Sequence, residues 1–356
     1  MMEYLQELSE ALGISGHEDA VRKIILRAID GHVQDIRIDA VGTLTCFKKA
    51  EGKSKSKGAK PLRVMLDAHM DEVGFMVTGW DDGGLIRFLP VGGIDDRIIP
   101  GLRVKIGDNA VPGIVLWKPI HKGRDQNVVK VADLRIDIGA GSKDEVGGLI
   151  KRGDRVAFSS KYMEIGETTI RGKSLDDRAG CSVLIDVLRG GPYPVDIVAA
   201  FTVQEEIGLR GAKVAARYLK PDVAIALECT TAHDLPDPTS DPDDPTEVNP
   251  TTRLGAGPAL TFMDRSMIAD PRLLRFLQQL ADVYGIPYAL KTQLGGGTDA
   301  GQIHLANGGI PSAVISIPGR YIHAPHAYIH RDDYANAVKL TQAALENLNR
   351  DVLKPL

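Results

Sequence analysis

Five short stretches of the chain place histidine, aspartate and glutamate in patterns suited to holding cations. The first, AHMDEVG at residues 68–74, carries His69 and Asp71 two apart, and alternate residues of an extended chain face the same side. A metal-ligating imidazole needs a carboxylate or carbonyl on its other nitrogen to set its tautomer, so this pair offers ligand and orienter together. The second, SLDDRAG at 174–180, puts Asp176 and Asp177 at a helix start beside Arg178. One carboxylate there can bridge two cations while Arg178 or the helix N-terminus stabilises the other; the plainer reading of such an aspartate is an N-cap. The third, QEEIG at 204–208, follows the apolar run IVAAFTV. Two carboxylates at the end of a buried strand repel each other and lose hydration, a conflict that a cation removes. Neighbours on an extended chain point in different directions, so one of Glu205 and Glu206 can bind metal while the other faces substrate as a general base. Glu228 closes a fourth apolar run, AIALE, and His323 follows a fifth, SAVISIP, within RYIHAPH.

Taken singly these are weak signals, since a surface histidine beside an acid, a helix cap or a solvated acidic pair has the same spelling. Their shared position says more, because sites of open α/β sheets gather beyond the carboxyl ends of strands. The charges also suit a pair of ions. Two divalent cations carry four positive charges; Asp176, Glu206 and Glu228 supply three negative ones and a bridging hydroxide the fourth. Histidine and carboxylate donors without cysteine point to catalytic zinc first, with cobalt or manganese as alternatives. Such a pair polarises a carbonyl and lowers the pKa of a water nucleophile. The glycines of GGGTD, 295–299, lack the spacing of a phosphate or dinucleotide loop and suit a close backbone approach to a ligand or a tight turn.

The elements that must carry these residues follow from hydrophobic periodicity. Residues 61–70 read as a buried strand ending in polar groups. Between about 74 and 160, short apolar stretches (73–77, 86–91, 111–115, 155–158) are divided by Gly, Asp and Pro turns, the texture of a small all-β unit. From 177 onward, helical stretches at 179–188, 211–219, 271–284 and 333–348 alternate with strands at 196–202, 223–227 and 312–317. The expectation is an α/β layered catalytic domain, residues 1–72 and 162–356, with an all-β domain, 73–161, inserted into it. The N-terminus reads as an amphipathic helix followed by a new start at Ser15-Gly16-His17-Glu18, with capping-box spacing. Residues 48–60 and 234–249 read as solvated loops.

Composition limits the classes. Of 356 residues 43% are hydrophobic and 25% charged, and the net charge of −4 argues against nucleic-acid or membrane-surface partners. No run approaches the roughly 18 apolar residues of a membrane span, and the N-terminus has no signal-peptide core. Cys46, Cys181 and Cys229 form no disulfide framework, which fits a reducing compartment and a cytoplasmic location.

SGHEDAVR, AHMDEVGFMV, SLDDRAG, QEEIGLRGA and GGGTDAGQIHLANGGIPSAVISIPGRYIHAP, in that order and over nearly the whole chain, resemble metallopeptidase family forty-two, the tetrahedral or deblocking aminopeptidases that include glutamyl aminopeptidases. The resemblance implies a three-layer α/β/α domain of the dinuclear-metal exopeptidase type, with the insert a small barrel that mediates assembly, typically dimers building a hollow dodecamer. It implies two divalent ions: His69 and Glu228 on one, Glu206 and His323 on the other, Asp176 bridging. Glu205 would be the general base acting on the bridging water, Asp71 the orienter of His69, and peptides the substrates. Two departures stand out. Glu228 occupies a place where aspartate is usual, with His233, Asp234 and Asp237 as rival ligands nearby, and Ala-Pro-His follows His323 where Ser-Pro is commoner, making His326 a candidate substrate-side group. A glycoside hydrolase would use two carboxylates without metal and leave the histidines unexplained. A catalytically idle scaffold would have no use for an intact base and full ligand set. Nothing in the motifs selects acidic, basic or aliphatic first residues.

Overall fold

Parallel strands covered on both faces read as unbroken apolar runs, and the runs named above form the centre of an eleven-stranded sheet. The computed structural model describes residues 1–52, 60–117, 121, 127–235, 251–292 and 295–354. Most of the loop expected at 48–60 and most of that at 234–249 lie outside the described residues.

Helices α1 (Leu5–Glu10) and α2 (Asp19–Ile29) lead into strands β1 (Gln34–Ile38), β2 (Leu44–Lys48) and β3 (Arg63–His69). The chain then leaves the sheet for β4 (Gly74–Trp80), β5 (Ile86–Val91), β6 (Arg103–Ile106), β7 (Val111–Val115), β8 (Ile136–Asp137), helix α3 (Lys143–Leu149) and β9 (Arg155–Phe158). It returns with β10 (Met163–Ile165), β11 (Thr169–Gly172), α4 (Leu175–Arg189), β12 (Asp196–Thr202), α5 (Arg210–Leu219) and β13 (Val223–Thr231). The last elements are β14 (Ala259–Thr261), α6 (Pro271–Tyr284), β15 (Ala289–Lys291), α7 (Ala300–Ile303), β16 (Ser312–Arg320), β17 (Ala327–His330) and α8 (Arg331–Asn347).

In the sheet the order is β1-β2-β12-β3-β13-β16-β17-β11-β10, with β14 beside β16 and β15 beside β14. The four strands β12, β3, β13 and β16 run parallel, so their carboxyl ends share one edge. Alternate residues of β3 face opposite layers. Val64, Leu66 and Ala68 join the core formed with α1, α2, α4, α6 and α8, whereas Met65 packs with Ala212, Ala215 and Ala216 of α5. That alternation makes the domain a three-layer α/β/α fold. The excursion closes into a six-stranded barrel, β4-β5-β8-β7-β6-β9, around its own core. Phe75 sits at its centre, edge-on to Phe88 at 5.0 Å and to Phe158 at 6.1 Å between ring centroids. Among the described residues no helix is long and apolar enough to cross a membrane.

Two sequence expectations are corrected. The capping box does not form: α2 begins at Asp19, and Glu18 makes no side-chain cap. Ser15 Oγ instead donates to Asp71 Oδ2 at 2.6 Å, and Glu18 Oε1 accepts from the Gly16 amide at 2.6 Å and the Gln204 amide at 3.3 Å. Buried carboxylates outcompete a local cap for these groups. Glu228 does not close its strand either. Its neighbour β3 has stopped pairing at Ala226↔Asp67, but β13 continues to Thr231 against β16, so Glu228 stands over the end of β3.

Replacing Phe75 with alanine removes the ring that joins two aromatic pairs and leaves a cavity in the barrel, so Phe75→Ala should cost about 3–5 kcal/mol in equilibrium denaturation.

Candidate metal centre

The shared edge of the four parallel strands collects the chemistry. His69 is the last residue of β3, Glu205 and Glu206 follow β12, Glu228 lies near the end of β13, and His323 follows β16. Asp176 comes from the first turn of α4, where its backbone (φ −86°, ψ 107°) and that of Asp177 depart from helical values. The two oxygens of Asp176 are divided: Oδ1 is 3.3 Å from His69 Nε2, and Oδ2 is 3.3 Å from His323 Nε2. Glu228 Oε2 lies 3.7 Å and Glu205 Oε2 3.9 Å from His69 Nε2, and Glu206 Oε2 lies 3.4 Å from His323 Nε2. Ser174, Gln204 and His323 itself hold left-handed backbone (φ +55° to +59°). Non-glycine residues adopt it at a cost that surrounding contacts must cover, and such strain gathers at functional sites.

Each histidine is oriented through its second nitrogen. His69 Nδ1 is 3.2 Å from the Asp71 carbonyl and 3.4 Å from its carboxylate. His323 Nδ1 is 2.9 Å from the carbonyl of Gly93, in the loop after β5. The Asp71 carboxylate also accepts from the amides of Glu205 at 3.0 Å and Glu206 at 3.2 Å, which fixes the backbone of the glutamate pair. Arg178 does not serve Asp177 as one sequence reading allowed. Its guanidinium donates to the carbonyls of Leu8 and Gly13, and Asp177 accepts from the amides of Gly180 at 2.9 Å and His69 at 3.2 Å. Asp177 lies with His69 and Glu228 in a group whose donor atoms are within 4.8 Å of each other, but those amides occupy its oxygens.

The electrostatics describe a centre short of positive charge. No described lysine or arginine forms an ion pair with Asp176, Asp177, Glu205, Glu206 or Glu228. Burial pushes the Glu206 carboxyl up to about 8, against the nearby His323, and drives Glu205, Glu228 and Asp177 well above the usual range. Burial opposes charge on the imidazoles too. Asp176 and Glu206 nevertheless raise His323 to about 9, and Glu205, Asp176 and Asp71 raise His69. Asp176 is held low, because hydrogen bonds from both histidines outweigh its burial, and Asp71 is lowered in the same way by His69, Ser15 and the Glu205 amide. Oxygen and imidazole donors in this density, with no described lysine or arginine paired to them, fit divalent cations.

Several groups were invisible as site components in the sequence. Glu72, beside Asp71, takes Lys173 Nζ at 2.7 Å and the Gly13 amide at 3.1 Å, tying the N-terminal segment to the end of β3. Asp67 and Asp299 are both fully buried near His69; burial and then the charge of Asp299 raise the Asp67 carboxyl well above the usual range. Thr202 Oγ1 donates to Asp299. Nothing in their spacing marks them, because each acquires its partner only across strands. Of the rival ligands, Asp234 is engaged by Arg320 at 2.8 and 2.9 Å, Asp237 lies outside the described residues, and His233 faces the cavity described next. His326 is exposed and does not line that cavity. The cavity, about 710 Å³, opens over His69, Asp176, Glu205, Glu206, Glu228 and His323 and runs past Gly295–Gly297.

A three-layer α/β/α domain with a histidine–carboxylate centre at its strand ends defines a class of hydrolases. The model of the M42 glutamyl aminopeptidase family matches residues 50–340, and the chain belongs to that family and so to the aminopeptidases. The lysyl aminopeptidase of Pyrococcus furiosus is 30% identical, over 97% of each chain. Among solved structures, an aminopeptidase from the archaeon Desulfurococcus kamchatkensis is 34% identical and superimposes with a TM-score of 0.90, covering 99% of this chain and 96% of that one. PhTET1-12s, described as a dodecamer, is 32% identical with a TM-score of 0.83, covering 98% and 99%.

Glu18, buried behind Asp71, provides a pH test. Burial and then the charge of Asp71 raise its carboxyl from 4.5 to about 7. Between those values the folded state binds a proton that the unfolded state has lost, so stability falls as pH rises and levels off above 7. Glu18→Gln keeps the acceptor and removes the charge. It should therefore be neutral near pH 4.5 and increasingly stabilising toward pH 8 relative to the parent, as read by urea denaturation across that range.

Proposed function

We propose that the chain removes N-terminal residues from peptides at a pair of divalent cations, with His69 and Glu228 on one ion, Glu206 and His323 on the other, and Asp176 between them. The carrying observation is the division of Asp176, one oxygen toward each histidine at 3.3 Å. Glu228 beside His69 and Glu206 beside His323 complete two donor sets. When bound, zinc, cobalt or manganese ions supply polarisation of the scissile carbonyl and a water of lowered pKa.

The rest is the work of the chain. Glu205 borders the cavity next to His69 and is nine-tenths buried, where a carboxylate binds protons readily. It accepts a proton from the attacking water and delivers it to the leaving amine. Asp71 positions this base through the Glu205 amide and sets the tautomer of His69. The open cavity over the centre has room for an extended peptide end. Asp67–Asp299 and Glu72–Lys173 hold β3 rigid beneath the centre.

The division into a catalytic domain, 1–72 and 162–356, and an assembly domain, 73–161, belongs to the same reading. The dodecameric state described for PhTET1-12s supports a homo-oligomer built through the barrel. Three buried, free cysteines support a reducing, cytoplasmic location.

Glu205→Gln should retain both ions by elemental analysis yet lose about two to four orders of magnitude in kcat on amino-acyl p-nitroanilides; substantial residual turnover would remove Glu205 from the base role. Chelation of the wild-type protein should abolish turnover, and zinc, cobalt or manganese should restore it in a titration that saturates at two ions per chain.

A further inference from the structure

Two lysines of the described chain are buried, and they differ in one respect. Lys173, 1% exposed, is matched by Glu72, the Ala11 carbonyl and Ser174. Lys291, 8% exposed at the end of β15, has no carboxylate and no hydrogen-bond acceptor for its ammonium among the described residues, and it lines the 710 Å³ cavity. Lysine is rarely buried unpaired, and Lys291 Nζ is not among the sealed polar atoms that lack a partner, so its stem is buried while its ammonium keeps accessible surface. Its one described outlet is the cavity that opens onto the metal donors.

The neighbouring wall has the same polarity. His233 also faces the cavity, and burial together with the charge of Lys291 holds its imidazole below the usual value, so the two side chains are electrostatic neighbours. The segment bearing His233 is pinned because Arg320 grips Asp234 with two hydrogen bonds and the His233 amide donates to the Thr252 carbonyl at 2.8 Å. The described carboxylates that line the cavity belong to the proposed metal donors and base; the lining also includes hydroxyl and apolar side chains, Thr230, Thr231, Ser316 and Leu209 among them. Among the described residues the cavity lining thus combines the carboxylates proposed as metal donors with a lysine that has no described counter-anion.

We infer that Lys291, seconded by His233, is a specificity-determining group that receives a carboxylate of the substrate. Two sources share that chemistry: the side chain of an N-terminal glutamate or aspartate, and the terminal carboxylate of a dipeptide. A first residue with a basic side chain is disfavoured by the same charge. Family membership does not choose among these, since a lysyl aminopeptidase is a 30% identical relative. The inference rests on the aminopeptidase reading for turnover, but not for binding.

The test uses the metal-loaded, full-length protein with Lys291→Met and Lys291→Arg. Wild type should turn over Glu-p-nitroanilide, or Leu-Ala in preference to Leu-Ala amide, with Lys-p-nitroanilide the poorest substrate. Lys291→Met should lower kcat/KM for the carboxylate-bearing substrate by at least about tenfold, mainly through KM, while Leu-p-nitroanilide changes by less than about twofold. Lys291→Arg should retain most of the preference. Loss confined to Glu-p-nitroanilide identifies the side chain as the source, and loss confined to Leu-Ala identifies the terminal carboxylate. An equal loss on every substrate, or a wild type that favours Leu or Lys derivatives without a dipeptide preference, overturns the proposal. Calorimetric binding of L-glutamate and L-alanyl-L-alanine against L-norleucine, for wild type and Lys291→Met, reads the subsite without catalysis. A protein that turns over no amide yet binds a carboxylate probe through Lys291 refutes the aminopeptidase reading alone; one that cleaves amides but shows no Lys291-dependent discrimination refutes the subsite alone. Thermal unfolding of Lys291→Met close to wild type excludes a folding defect, and Lys291→Arg carries the comparison if that variant fails.

Discussion

Asp176 reaches one oxygen toward His69 and the other toward His323 from the first turn of α4, where its backbone departs from helical geometry. The two histidines belong to β3 and the end of β16, which are separated in the sheet by β13. Only a group arriving from above the strand ends can touch both. Glu228 then enters from the middle strand and the Glu205–Glu206 pair from the outer neighbour β12, so the centre is a direct consequence of four parallel strands ending along one edge. Parallel pairing orders all their carboxyl ends alike, which is why such edges collect polar chemistry.

The same convergence creates the main energetic burden. Five carboxylates are buried without a described lysine or arginine partner; burial raises Glu205, Glu206 and Glu228, and the neighbouring carboxylates raise both imidazoles. Around this lies a separate layer of hydrogen-bonded polar groups. Ser15, Asp71 and the amides of the glutamate pair form one network; Glu72, Lys173 and Arg178 form another that reaches back to the N-terminal helices. Buried polar groups are tolerable when each finds its partner. Here the two networks hold the centre in place, with Arg178 Nε as a buried donor that has no partner among the described residues.

The inserted barrel contributes more than a surface. Its core is separate from that of the α/β domain, yet the Gly93 carbonyl after β5 meets His323 Nδ1. A backbone carbonyl from the insert therefore sets the orientation of a histidine from the parent domain. Any displacement of the barrel against the sheet would be felt at that ring.

Much was legible in the linear chain because it is local. Apolar runs at 196–202 and 271–284 coincide with β12 and α6, since strand burial and helical periodicity act over a few residues. The five motifs were visible because a strand end followed at once by histidine or carboxylate is a short pattern. Partnership was not legible. Ser15 and Glu18 have the spacing of a cap but serve Asp71 and Gln204, and Asp177 is held by amides rather than by Arg178. Glu72 and Asp299 lie inside motifs singled out for other residues, and Asp67 and Lys291 have no distinctive neighbours in sequence. Side-chain type and strand periodicity are properties of consecutive residues, so the sequence alone determined the elements and the donor inventory. Distance, desolvation and charge compensation arise between residues far apart along the chain, and only the tertiary structure decided which donors face each other and which buried lysine has no partner among the described residues.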